Sequence, residues 1–117
     1  MTTPLNRTDN EPDFSVYVGD DKVPWDVTIT DAFGNYVDLT GASIAVKARI
    51  RNQSVAEASF AGSVIGTTPQ TQARRLIANG DFAEGHYDAV FVATLAGGEV
   101  VTWPPNRQLF LQVIARP

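Results

Sequence analysis

The chain contains no cysteine, so it can form no disulfide framework, thiolate metal site or cysteine nucleophile. Cations are the minority charge. Nine Lys and Arg stand against 13 Asp and Glu, a formal net charge of −4, the wrong sign for counterion release on a phosphate backbone. Nucleic acid is therefore not an expected partner. No uninterrupted apolar stretch approaches the ~18 residues of a membrane-spanning helix, and the polar start from Met1 to Pro12 lacks the basic and apolar regions of a secretion signal. No membrane partner is expected either. Gly97-Gly98 is followed by Glu99 and not by Lys-Ser/Thr, and no G-x-S-x-G occurs, so phosphate loop and nucleophile elbow are both missing.

What is present points to one small globular domain. Of 117 residues, 44% are hydrophobic and 19% charged, an ordinary globular composition. A chain of this length buries roughly two-thirds of its unfolded surface around a single core, and no cofactor is expected. Residues 1–12 carry Pro4 and Pro12 and almost no apolar side chains. They are expected to be a polar arm, either a disordered tail or a segment ordered against a neighbouring subunit. The domain proper is expected over 13–117.

From Phe14 onward apolar residues recur with period two between clusters of Gly, Asp, Asn and Pro, the signature of short strands and turns. Phe14, Val16 and Val18 alternate with polar neighbours, as do Trp25, Val27 and Ile29, and then Ile44, Val46, Ala48 and Ile50. Weaker strands are expected over Val55 to Phe60 and Gly62 to Gly66, on either side of a loop. Thr71 to Ala78 has some helical spacing, but its setting among strands favours β. Tyr87, Ala89, Phe91, Ala93 and Leu95 share one face of a central strand, with Val90 and Val92 on the other. Gly97-Gly98 then makes a hairpin to Val100–Trp103, and Leu109, Leu111 and Val113 line a last strand. About seven to nine strands of this kind predict an all-β, antiparallel, immunoglobulin-like sandwich, with a small barrel as second choice. Gly85-His86-Tyr87 resembles the tyrosine corner of such sandwiches, in which the phenol bonds upstream backbone; otherwise Tyr87 is a core aromatic.

Candidate chemistry is sparse. His86 and Asp88 share a strand face, yet no nucleophile or pocket accompanies them. Asp20, Asp21 and Asp26 flank one turn and Asp31, Asn35 and Asp38 another, but neither set has the spacing of a calcium loop, and Asx residues favour turns for backbone reasons alone. No metal site and no catalytic residue are expected. Lys47, Arg49 and Arg51 form a basic stripe, either a solvated face or one that meets an acidic partner. If Leu109, Leu111 and Val113 face inward, Phe110 and Ile114 face outward. Together with Trp103 they are the expected interface anchors, unless a loop of the same domain covers them.

The stretch from Asp31 to Ile44, with Val37-Asp38-Leu39-Thr40-Gly41-Ala42 at its centre, resembles the N-terminal domain of the phage baseplate upper protein family. Residue by residue, Asp38 or Thr40 can cap turn amides, Leu39 can plug the core and Gly41 permits a bend, so the motif reads as structural. The resemblance implies a non-enzymatic structural protein of a tailed-phage virion, assembled in the host cytoplasm. Its implied partners are other virion proteins and copies of itself. Members of that family continue into further segments where this chain stops at Pro117, which leaves open a tail or baseplate adaptor, a connector or a head decoration. The alternative reading is a carbohydrate- or host-surface-binding module, with Trp25 beside Asp20 and Asp21, or Trp103, as the platform.

Overall fold

The computed structural model describes residues 11–51, 57–67 and 70–115. The expected arm lies almost wholly outside the described residues. Eight strands and no helix are present among them: β1 (Phe14–Tyr17), β2 (Val23–Thr28), β3 (Ser43–Ile50), β4 (Ala58–Ile65), β5 (Gln72–Ile77), β6 (Gly85–Thr94), β7 (Val100–Trp103) and β8 (Leu109–Ile114). Thr71 to Ala78 resolves to the strand β5.

Alternation builds the core. Ile44, Val46 and Ala48 of β3, Ala89, Phe91 and Ala93 of β6, and Leu109, Leu111 and Val113 of β8 all point inward. Phe91, Ile29, Leu39, Leu111 and Val46 are the largest fully buried side chains, and each stabilises the fold by roughly 1.5–3 kcal/mol through apolar burial. Cross-strand register keeps the buried set together: Val46 lies opposite Phe91, and Tyr87 opposite Leu111.

The strands pair in the order β1-β8-β6-β3-β4-β5-β2, and β7 joins β6 beside β8. Every ladder is antiparallel except β1 with β8, which is parallel and runs from Phe14 opposite Leu111 to Tyr17 opposite Ile114. The expectation of wholly antiparallel pairing is corrected here. Side chains alternate identically in both directions, so periodicity carries no strand polarity.

A second correction concerns β4. Ala58 to Gly62 pair with β3, and Ser63 to Ile65 pair with β5. The loop expected between Phe60 and Gly62 is instead one continuous strand that changes partners. At the change Gly62 is squeezed: a Cβ there would lie 2.8 Å from the Arg74 carbonyl oxygen and 2.8 Å from Ile44 Cγ2, which no side chain tolerates without backbone movement. Ala61, past the reach of β5, has its carbonyl capped by Arg75 Nη1 at 2.9 Å. The same guanidinium pairs with Asp81 and lies over the Phe60 ring, 5.0 Å from its centroid. Arg75 thus fills the wedge that opens where β4 and β5 part.

Through β4 the sheet curls nearly into a barrel. Its two end strands, β1 and β2, are held together by side chains: the Phe14 and Trp25 rings stack at 5.3 Å and 9°, and Trp25 meets Phe91 edge-on at 5.1 Å.

Candidate functional site

Of the three expected interface anchors, the structure turns two into internal contacts. Phe110 does lie on the outer side of β8, yet it is only 4% exposed. The Arg51 guanidinium covers its ring at 4.0 Å from the centroid, and His86 abuts it edge-on at 5.1 Å. Trp103 pairs with Phe91 in the β6–β7 ladder and packs against the core from the inner face. Its indole N–H donates to Thr30 Oγ1 at 3.2 Å. Ile114 is half-buried opposite Tyr17. The expected apolar patch on β8 is therefore not an exposed one.

The sugar platform fares similarly. Trp25 is 3% exposed and lies inside the core, so its face is unavailable to a ligand. Among the residues of the two Asp-rich turns, Asp21 accepts the Asn79 amide at 3.1 Å, and Asp26 takes a two-pronged bond from Arg74 at 2.7 and 2.9 Å. That hydrogen bond holds the Asp26 carboxyl below its ordinary pKa. Among the described residues no three His, Cys, Asp or Glu side chains group as a metal would need. His86 is exposed, and Asp88, two residues on, is engaged by Arg51 Nε at 2.6 Å.

The turn after β2 is the best-built exposed feature. Asp31 Oδ1 accepts the amides of Phe33 at 2.8 Å and Asn35 at 3.0 Å, and the Asp31 amide donates to the Asn35 carbonyl at 2.9 Å. One carboxylate therefore replaces the backbone partners the turn lacks. The bonds from Asn35 and Phe33 hold the Asp31 pKa below the usual carboxylate value. Out of this locked turn project Phe33, 90% exposed, and Tyr36, 73% exposed, the latter anchored by a bridge to Thr30. Period two marks this stretch only as a turn and gives its two aromatics no role. The signal was there in the sequence, a Phe and a Tyr inside an Asx-rich turn, where nothing else calls for an apolar side chain.

The following residues fix the turn to the frame. Asp38 Oδ1 accepts the Thr40 hydroxyl at 2.7 Å and the Thr40 amide at 3.1 Å, which lowers its pKa, the side-chain bond most. Leu39 is fully buried and its amide donates to the Gln70 carbonyl at 2.7 Å. Gly41 has φ +78, a conformation costly for other residues, and lies close to Ala96 in the β6–β7 hairpin. At the opposite end of β6 the Tyr87 hydroxyl donates to the Ala83 carbonyl at 2.9 Å. Burial raises the Tyr87 pKa.

No protein-family model, curated protein or solved structure matches this chain.

Proposed function

We propose that the chain is a non-enzymatic structural protein of a tailed-phage virion, a tail or baseplate adaptor, a connector or a head decoration, which acts by docking onto other virion proteins. The observation that carries this reading is the Asp31 turn. A Phe and a Tyr are held out to solvent on backbone already fixed by a carboxylate. Exposed aromatics on rigid backbone are the typical anchors of protein contacts, because little conformational entropy is lost when they are buried. The turn also lies within the Asp31 to Ile44 stretch that carries the resemblance to baseplate upper proteins.

We further infer an immunoglobulin-like sandwich. The β2-β5 pair with the second half of β4 would form one sheet, and β1-β8-β6-β3 with the first half of β4 the other. The Tyr87 hydroxyl bonded to Ala83, four residues upstream, supports that assignment.

The test is particle composition. Induction of phage from cells that carry the coding sequence, followed by density-gradient purification and peptide mass spectrometry, should find the chain in the particle fraction at a fixed ratio to the major structural proteins. Its consistent recovery only in the particle-free supernatant would sink the reading.

A further inference from the structure

Two surfaces of this domain are complementary and face different ways. The first is the end formed by residues 29–42 and 95–99, which meet where Gly41 lies against Ala96, while Ile29 and Leu39 bond Thr71 and Gln70 just before β5. This end carries Asp31, Asp38 and Glu99 and neither Lys nor Arg. It also carries the exposed Phe33 and Tyr36. Asp31 and Asp38 remain ionised at neutral pH, since both are held below their ordinary pKa by the bonds they accept.

The second surface is the outer side of the β3–β6 ladder. Val92 lies between Ala45 and Thr102, and Val90 lies opposite Lys47; both valines are half-exposed, with no element over them among the described residues. Lys47 and Arg49 of β3 and Arg51 just past its end follow in line, while the acids beside them are Asp88, already bonded to Arg51, and Glu57, just before β4. The strip is net positive. Neither Lys47 nor Arg49 makes an ion pair among the described residues.

We propose that the chain self-associates head to tail, with the Phe33–Tyr36 end of one copy seated on the Val90–Val92 strip of the next. The inference rests on the docking reading above and names one partner for it, a second copy. A net charge of −4 makes copies repel in general, so association requires that unlike patches meet, and the acidic end and the basic strip are such patches. The two patches do not coincide. A two-fold contact would need one self-complementary surface, whereas here each copy retains a free donor and a free acceptor, and the chain of contacts closes into a ring or grows.

Sedimentation velocity of the full chain is the test. In low salt the weight-average sedimentation coefficient should rise between about 10 μM and 1 mM, the range of a contact at the small end of specific interfaces. It should fall back to the monomer value at about 0.5 M salt, where the Debye length is only a few ångströms. Phe33→Ser and Lys47→Glu should each be monomeric at all these concentrations, with circular dichroism and melting unchanged. If either fails to fold, Tyr36→Ser or Arg49→Glu replaces it. An equimolar mixture of the two should form a dimer and nothing larger, because one variant keeps the strip and the other keeps the end. A wild-type chain that stays monomeric, a variant that associates like wild type, or a mixture that stays monomeric would overturn the proposal. A monomeric chain found in particles defeats this inference alone, and an associating chain absent from particles defeats the virion reading alone.

Discussion

The Arg51 guanidinium lies 4.0 Å from the centre of the Phe110 ring while its Nε bonds Asp88 at 2.6 Å. One side chain thereby hides an aromatic that β8 would otherwise present to water. Arg51→Ala should uncover the ring and free the Asp88 carboxylate. A loss of about 1 kcal/mol in a urea melt is expected, the scale of a partly exposed cation–π contact with its ion pair, together with increased binding of an apolar dye. Arg51→Lys should recover little of it, because an ammonium cannot lie flat on the ring. Unchanged stability and dye binding in Arg51→Ala would show that Phe110 is covered by something else.

Gly62 makes the exchange of partners along β4 possible. Gly62→Ala should cost about 1–3 kcal/mol, the range for a side chain forced into filled space, because its Cβ would meet the Arg74 carbonyl and Ile44. Ser59→Ala, on the exposed part of the same strand, should stay within about 0.5 kcal/mol. Equal effects in chemical denaturation would remove the close approach as the cause.

Acid should loosen the Asp31 and Asp38 turns. Both carboxyls titrate below their ordinary values in the folded chain, so the stability they contribute is fully present above the unfolded pKa near 4. It is lost as pH falls through the lower folded values. The melting temperature should therefore be flat from about pH 7 to 5 and decline below about pH 4. Asp31→Asn, which keeps an acceptor oxygen but does not titrate, should show a shallower decline. A decline as steep as that of wild type would remove Asp31 from the account.

Tyr87→Phe removes one hydroxyl bonded to Ala83 at 2.9 Å and should destabilise by about 1 kcal/mol. Thermal melts of the two proteins at neutral pH suffice to check it; coincident curves would mean that the bond contributes nothing net.

Much of the frame was legible because burial here follows the pleat. The inward residues of β3, β6 and β8 can be counted off in steps of two, and so can Trp25 and Ile29, although Trp25 also stood as a candidate sugar platform until its burial removed it. β4 was not legible as one strand. Ala58, Ser59, Ala61, Gly62 and Ser63 differ too little in polarity to mark a face, and a change of partner strand has no local sequence signature. The parallel β1–β8 pair is hidden for the reason that alternation is blind to direction. Period two puts Phe110 on the outer side of β8, but its cover comes from Arg51, just past the end of β3, and period two says nothing about what lies above a face. The roles of Asp38, Leu39 and Gly41 in their turn could be anticipated from side-chain chemistry alone, since capping, burial and positive φ are local matters.

The parallel β1–β8 pair has a mechanical consequence. Traction applied through the two termini pulls β1 toward its beginning and β8 toward its end, so the strands are dragged past one another lengthwise. Their shared hydrogen bonds are then loaded together, where an antiparallel hairpin pulled from its open end would surrender them one at a time. A domain tethered at both ends would resist stretching at this seam, with four paired residues on each side bearing the tension jointly.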